Sequence, residues 1–270
     1  MGDANERPLA VVTGASRGIG LELARELARR GFDLLLAARG EALTQVAAEL
    51  AASTGAQVEG VRVDLATHEG VEALWESLEA RGRPVEVLAL NAGAGVGGDF
   101  ARETELEQEL QLIALNVRSS VHLAKRVLPG MVARGQGRLL VVSSVAAVTP
   151  APLEAVYAAS KAFLSSFAAS LREELKDTGV SVTALLPAPT ETGIFEDAGM
   201  GDTRVAQRRK DDPAEVARQG VEALLAGKAK VVGGNVGHTL AIAASGLVPD
   251  AVKARVHRYL ASTDPKAEEG

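Results

Sequence analysis

LAVVTG (9–14), FDLLLAAR (32–39), QVEGVRVDL (57–65), VEVLALNAG (85–93), GRLLVVSS (137–144) and VSVTALLP (180–187) are short apolar runs that recur along the chain. Between them lie IGLELARELARRG, EALTQVAAELAAST and HEGVEALWESLEARG, then a long helical pattern over roughly 104–134 and another over roughly 153–178. The runs are near-continuously apolar rather than alternating, so each strand is expected to be buried on both faces, and strands separated by helices pair in parallel. The expected architecture is α/β: a doubly wound parallel sheet flanked by helices, in a single domain over 1–262. Two stretches break the rhythm, a polar, Gly-containing loop at about 188–213 and a tail over 263–270 that is expected to be disordered.

A chain of 270 residues with 47% hydrophobic and 24% charged content supports one large core. There is no cysteine, which excludes a disulfide scaffold, a thiolate metal site and a thiol nucleophile. The histidines, His68, His122, His238 and His257, have no metal-ligand spacing, so no metal is expected. A net charge of −6 and only 3% aromatics argue against nucleic acid as a partner. MGDANERP lacks the basic region and apolar run of a signal peptide, and no stretch reaches the ~20 apolar residues of a membrane helix. A cytoplasmic protein is the expectation.

The first run leads through TGASRGIG directly into the first helix. Gly14, Gly18 and Gly20 allow a tight turn there and leave room for a pyrophosphate at the helix N-terminus, whose free amides and dipole favour an anion. Ser16, Arg17 and Ile19 share that turn and complete the candidate phosphate-binding set. Ligands of an open α/β sheet bind beyond the carboxyl ends of its strands. Asp64 and Leu65 at the end of the third run suit the adenine edge, while Asn91, Ala92 and Gly93 at the end of the fourth let a ribose pass close to the backbone. Asp64 equally suits a helix cap, and Gly93 a turn.

YAASK sets Tyr157 and Lys161 four positions apart, on one helix face. Ser144 ends the fifth run, on the same sheet edge as the glycine turn. A phenol with an ordinary pKa near ~10 is poorly matched to proton transfer at neutral pH. An adjacent ammonium favours phenolate, so Lys161 is expected to lower it, with Ser144 holding the substrate oxygen.

With TGASRGIG, Asp64-Leu65, LNAG (90–93), Asn116, Ser144, the YxxxK pair and LPAPTET (186–192), residues 8–195 resemble the short-chain dehydrogenase/reductase family. The resemblance implies a Rossmann-type enzyme that moves a hydride between NADP or NAD and a small carbonyl or alcohol substrate. It implies Tyr157 as general acid/base, Lys161 on the nicotinamide ribose as well, and Asn116 holding a water that relays protons from Lys161. It also implies Pro187 and Thr192 beside the nicotinamide, with 188–213 covering the substrate. Two departures are Ala188 where the family often has glycine after the proline, and Leu90 where it often has a first asparagine. The alternatives are a cofactor-binding sensor or scaffold without turnover, and a family-related epimerase or dehydratase.

NADP is the expected preference, with NAD second. The second run ends in Ala38 and Arg39 with no carboxylate before Glu41, so nothing repels a 2′-phosphate, and Arg39 and Arg17 are placed to meet it. Of the arginine-lysine run at 208–210, a solvated loop face is the expected role, with an acidic substrate as the other. In the family, the long helices around the fifth strand pair between subunits. A homodimer or homotetramer is therefore expected, with Leu112, Leu115, Phe163 and Phe167 as the apolar candidates. The segment HTLAIAASGLVPDAVKARVHRYL is expected to pack on the core or on another subunit.

Overall fold

In the computed structural model, each of the six apolar runs forms a strand: β1 (Leu9–Thr13), β2 (Asp33–Ala38), β3 (Val58–Arg62), β4 (Val85–Leu90), β5 (Gly137–Val142) and β6 (Val180–Pro187). The structure describes residues 7–235 and 248–263, together with Gly237. A seventh strand, β7 (Lys230–Gly233), is absent from the sequence reading; its four residues, KVVG, give too little pattern to read. All pair in parallel, in the order β3-β2-β1-β4-β5-β6-β7. The order reverses between β1 and β4, which opens a crevice outside their carboxyl ends.

Successive residues of a strand face opposite sides of the sheet, and the core divides accordingly. Ala10, Val12, Leu34 and Leu36 pack on one side with Leu23 and Leu27 of α1 (Gly18–Arg29), Leu43 and Leu50 of α2 (Ala42–Thr54), and Val216 and Val221 further on. Val11, Leu35, Leu88 and Val141 pack on the other side with Leu74 of α3 (His68–Ala80) and with Leu123 and Leu164. Burial on both faces holds for β1 and β2 but not for β3, where Glu59, Gly60 and Arg62 are exposed because this strand is the sheet edge.

The long helical pattern is a rod with a defect. α4 (Leu106–Ile113) runs into a π-helical turn, Ala114–Arg118, and continues as α5 (Ser119–Arg134). Such bulges reposition the backbone and occur often at functional sites. α6 (Ala155–Glu174) follows a short 3-10 turn, Val145–Val148.

The 188–213 segment is folded back on the protein. It holds the short α7 (Ile194–Asp197), a parallel bridge between Thr190 and Asp211, and an antiparallel bridge between Thr203 and Thr263. α8 (Pro213–Leu225) begins where Asp212 accepts the Ala214 N–H at 2.9 Å, with proline at the position that needs no donor. α9 (Asp250–Ala261) closes the described chain. Residues 238–247 of the closing apolar segment and 264–270 of the expected tail lie outside the described residues. Among the described residues, no helix is long and apolar enough to cross a membrane.

Candidate active site

The end of β1 and the end of β4 are stitched together by Thr13, which the sequence reading does not single out, and by Asn91, which it does. The Thr13 hydroxyl donates to the Ala89 carbonyl at 3.2 Å and accepts the N–H groups of Asn91 (2.9 Å) and Ala92 (3.0 Å). Asn91 returns the contact, its Nδ2 donating to the carbonyls of Thr13 (2.9 Å) and Gly14 (3.2 Å). Gly14 adopts φ +67°, and a Cβ at Gly20 would stand 2.1 Å from the Gly14 oxygen, so neither position tolerates a side chain. A threonine directly before a glycine turn was the available signal.

This turn fits a dinucleotide. At the N-terminus of α1, Arg17 is extended and makes no capping bond, and the first turn carries no acidic side chain. The amides and dipole of a 12-residue helix are thus left for a pyrophosphate. Ser16 is half-buried in the turn, and Ile19 packs against the core beneath it. Thr192 lies over the turn: a Cβ at Gly18 would meet its Cβ at 3.0 Å. Pro187, at the end of β6, and Leu65, just past β3, are both buried.

The two arginines expected at a 2′-phosphate have different partners. Arg39, 79% exposed just past β2, is 3.7 Å from Asp64, whose other oxygen accepts the Ala66 N–H at 2.9 Å. Arg17 instead pairs with Asp197 of α7, across the crevice. The helix cap considered for Asp64 is supplied by Thr67, which accepts the Gly70 N–H at 2.9 Å.

Asn116, Ser144, Tyr157 and Lys161 come together beyond β4 and β5. Asn116 is fully buried within the π turn. Its Oδ1 accepts the Ala94 N–H at 2.9 Å, and its Nδ2 donates to the Ala94 carbonyl (3.0 Å) and the Ser160 hydroxyl (2.9 Å). Ser160 in turn donates to the Tyr157 carbonyl at 2.7 Å, joining the rod to α6. Ser143 anchors the same helix by donating to the Lys161 carbonyl at 2.7 Å. Neither serine was among the expected site residues.

Lys161 is 4% exposed, and its Nζ donates to the Val142 carbonyl at 3.3 Å. A Cβ at Gly93 would lie 3.2 Å from both this Nζ and Asn116 Oδ1, so Gly93 makes room for the ammonium. Burial drags the ammonium down to about 8. Tyr157 is half-buried as a residue, but its phenol is enclosed, and burial pushes it up to about 12. A hydrogen bond with Ser144 pulls the phenol down, and the charge of Glu154 pushes it up. The expected net lowering of the phenol is therefore corrected: the ammonium is 5.7 Å from the ring centroid, and desolvation decides the direction.

The sequence profile described as short chain dehydrogenase matches residues 8–203. A very-long-chain 3-oxoacyl-CoA reductase of Mycosarcoma maydis is 39% identical over 188 residues, which is 68% of this chain but 53% of that protein. The chain thus spans about half the length of that relative. An uncharacterised oxidoreductase of Staphylococcus saprophyticus is 31% identical over 80% of this chain and 90% of its own. Among solved structures, a short-chain dehydrogenase from Sphingobium yanoikuyae in complex with NADPH superposes with a TM-score of 0.79 at 31% identity, covering 89% of this chain and 94% of that one. The sheet order and glycine turn of this chain and a profile match that runs from β1 past α7 together mean that the chain belongs to the short chain dehydrogenase family.

Proposed function

We propose that the protein is an NADP-preferring carbonyl reductase or alcohol dehydrogenase of the cytoplasm, with its catalytic domain over 1–262 and its substrate covered by 188–213. The observation that carries this reading is the convergence of Ser144, Tyr157, Lys161 and Asn116 on the sheet edge that also bears the uncapped α1 N-terminus. When bound, the reduced nicotinamide supplies a hydride, two electrons with one hydrogen, to the carbonyl carbon. Tyr157 gives its phenol proton to the oxygen, so the product is the alcohol, and the phenolate regains a proton from solvent. Ser144 hydrogen-bonds the oxygen as charge develops, and Lys161 stabilises the phenolate. Asn116 holds the 92–94 backbone against α6, which keeps Gly93 clear of the ammonium. The test is NADPH oxidation against a panel of ketones and aldehydes. Bound NADPH with no turnover on any carbonyl would overturn the assignment.

Arg39 sets the cofactor preference. β2 ends without a carboxylate, and the exposed guanidinium at its tip suits a 2′-phosphate. A hydrogen bond to a charged group contributes roughly 1.5–3 kcal/mol, so Arg39→Ala is expected to weaken NADPH by about one to two orders of magnitude. NADH binding should stay nearly unchanged; titrations giving equal losses for both would refute the role.

A homo-oligomer belongs to the same reading, with a corrected surface. Leu112 is 1% exposed, and Leu115 and Phe167 pack on the core, so of the four expected residues only Phe163, at 40%, is exposed. Outward apolar residues on this side are Phe100 and, on α4, Leu106, Leu110 and Ile113, with Phe163 on α6. Phe100, Ile113, Val117, Val156 and Phe163 line a cavity of about 450 Å³ there. Light scattering at micromolar concentration should give two or four chain masses, and Ile113→Asp should reduce it to one.

A further inference from the structure

The segment that closes over Tyr157 presents apolar side chains at the site and holds its cations in ion pairs, in hydrogen bonds or facing outward. A Cβ at Gly95 would meet Ala198 Cβ at 3.2 Å, Ile194 Cγ1 at 3.8 Å and Tyr157 Cδ2 at 3.9 Å, so these groups ring one point beside the phenol. Two residues on, a Cβ at Gly97 would overlap Met200, at 2.2 Å from its Cγ and 2.6 Å from its Sδ. Met200 is 3% exposed and seated on that glycine, and the Gly97 N–H donates to the Ala198 carbonyl at 3.0 Å. Main-chain bonds fix this wall from behind: Met200 N–H to the Phe195 carbonyl at 2.7 Å, and Val205 N–H to the Leu260 carbonyl at 2.9 Å.

Of the neighbouring cations, Arg17, Lys210 and Arg204 have partners already, and Arg208 and Arg209 face outward. Arg17 is paired with Asp197. Lys210, its side chain 7% exposed, lies 3.4 Å from both Glu191 and Glu196 and 5.7 Å from the Phe195 ring centroid. Arg204 donates to Ser262 Oγ at 2.6 Å and lies over the Tyr259 ring. Arg208 and Arg209 are exposed. The charged group three residues before Tyr157 is a carboxylate, Glu154, joined to His257 at 2.9 Å. An anionic substrate would meet that carboxylate and, among the described residues of the segment, no buried cation without a partner.

We propose, building on the oxidoreductase reading above, that this site takes an uncharged, compact apolar carbonyl compound and that Met200 sets the length it admits. Burial of apolar surface against Ile194, Ala198 and Met200 supplies the affinity, and the only polar contacts needed are those of the carbonyl oxygen with Ser144 and Tyr157. A carboxylate on the substrate would have to be desolvated against this apolar wall, with only the Lys161 ammonium, already committed to the reaction, to offset the cost. Met200, with three rotatable bonds, blocks the far end next to Gly97.

The test pairs ketones that differ only in charge, acetophenone with 4-acetylbenzoate and cyclohexanone with 4-oxocyclohexanecarboxylate, in both NADPH oxidation and calorimetric titration of the enzyme–NADPH complex. The neutral member of each pair is expected to have a kcat/KM at least tenfold higher. Met200→Ala should raise kcat/KM for hexanophenone relative to acetophenone about tenfold, a ratio within one variant that a folding defect alone does not move, and Met200→Leu, which keeps the volume, should leave that ratio in place. Equal or better use of the carboxylates, or a length ratio that Met200→Ala leaves unmoved, would overturn the proposal while the oxidoreductase reading stands. Binding of the neutral ketones without turnover would uphold the pocket and overturn the oxidoreductase reading. Binding of neither member of either pair would overturn the pocket.

Discussion

Tyr157→Phe is expected to lower kcat for carbonyl reduction by about a hundred- to ten-thousand-fold, the range a positioned general acid contributes, with the NADPH dissociation constant within a few-fold of wild type. The phenol sits at about 12 because burial disfavours its anion, so at neutral pH it is fully protonated and loaded as a donor. Phenylalanine keeps the ring, which fills the space beside Gly95, and removes only the proton and the Ser144 contact. kcat and KM for a ketone, with fluorescence titration of NADPH, make the measurement. A variant with more than a tenth of the wild-type kcat would show that the proton comes from elsewhere.

That the phenol lies high rather than low shows where sequence reasoning stops. YAASK gave the spacing, and helical geometry gave the shared face, but the balance between desolvation and charge depends on enclosure by groups distant in sequence. The strands were legible because LAVV and LLLAA are continuously apolar, short and separated by helical patterns, as strands of a sheet covered on both sides are. β7 was not, since KVVG acquires meaning only beside β6. α8 has a readable start signal, Asp212 followed by Pro213, at the end of a polar segment that otherwise reads as loop. Asn116 is the instructive case. A mid-helix asparagine ordinarily faces water, and only the π turn turns it inward to Ala94 and Ser160. Leu112 and Phe167 were misassigned to a subunit surface for a related reason: helical periodicity marks an apolar face, and it does not say whether a sheet or another chain covers it.

Lys161→Met is expected to abolish turnover and weaken NADPH binding while making the protein more stable. The ammonium is buried with one carbonyl partner, at 3.3 Å, and no carboxylate bonded to it, and burial takes it from 10.5 to about 8. A fall of that size costs the folded state on the order of 3 kcal/mol at neutral pH, because each unit is worth about 1.4 kcal/mol. A thioether of similar length removes the cost and leaves only the Val142 carbonyl short of a donor, a loss of about 1 kcal/mol. Melting should therefore rise by several degrees, at about 2–4 °C per kcal/mol for a chain of this size. The sign with pH follows from linkage. Between about 8 and 10.5 the unfolded state holds the proton that the folded state has lost, so wild-type stability climbs as pH rises through that window. Above 10 the Tyr157 phenol, raised to about 12, holds a proton that the unfolded chain gives up, and the climb reverses. Lys161→Met should lack the climb and keep the reversal. Reduction by the wild type should also slow as pH passes about 8, where the charge that stabilises the phenolate is lost. Urea denaturation of both proteins from pH 6 to 11 is the measurement. A methionine variant less stable than wild type, with the same pH dependence, would mean that Lys161 is not a buried ammonium held at a cost to folding for the sake of the reaction.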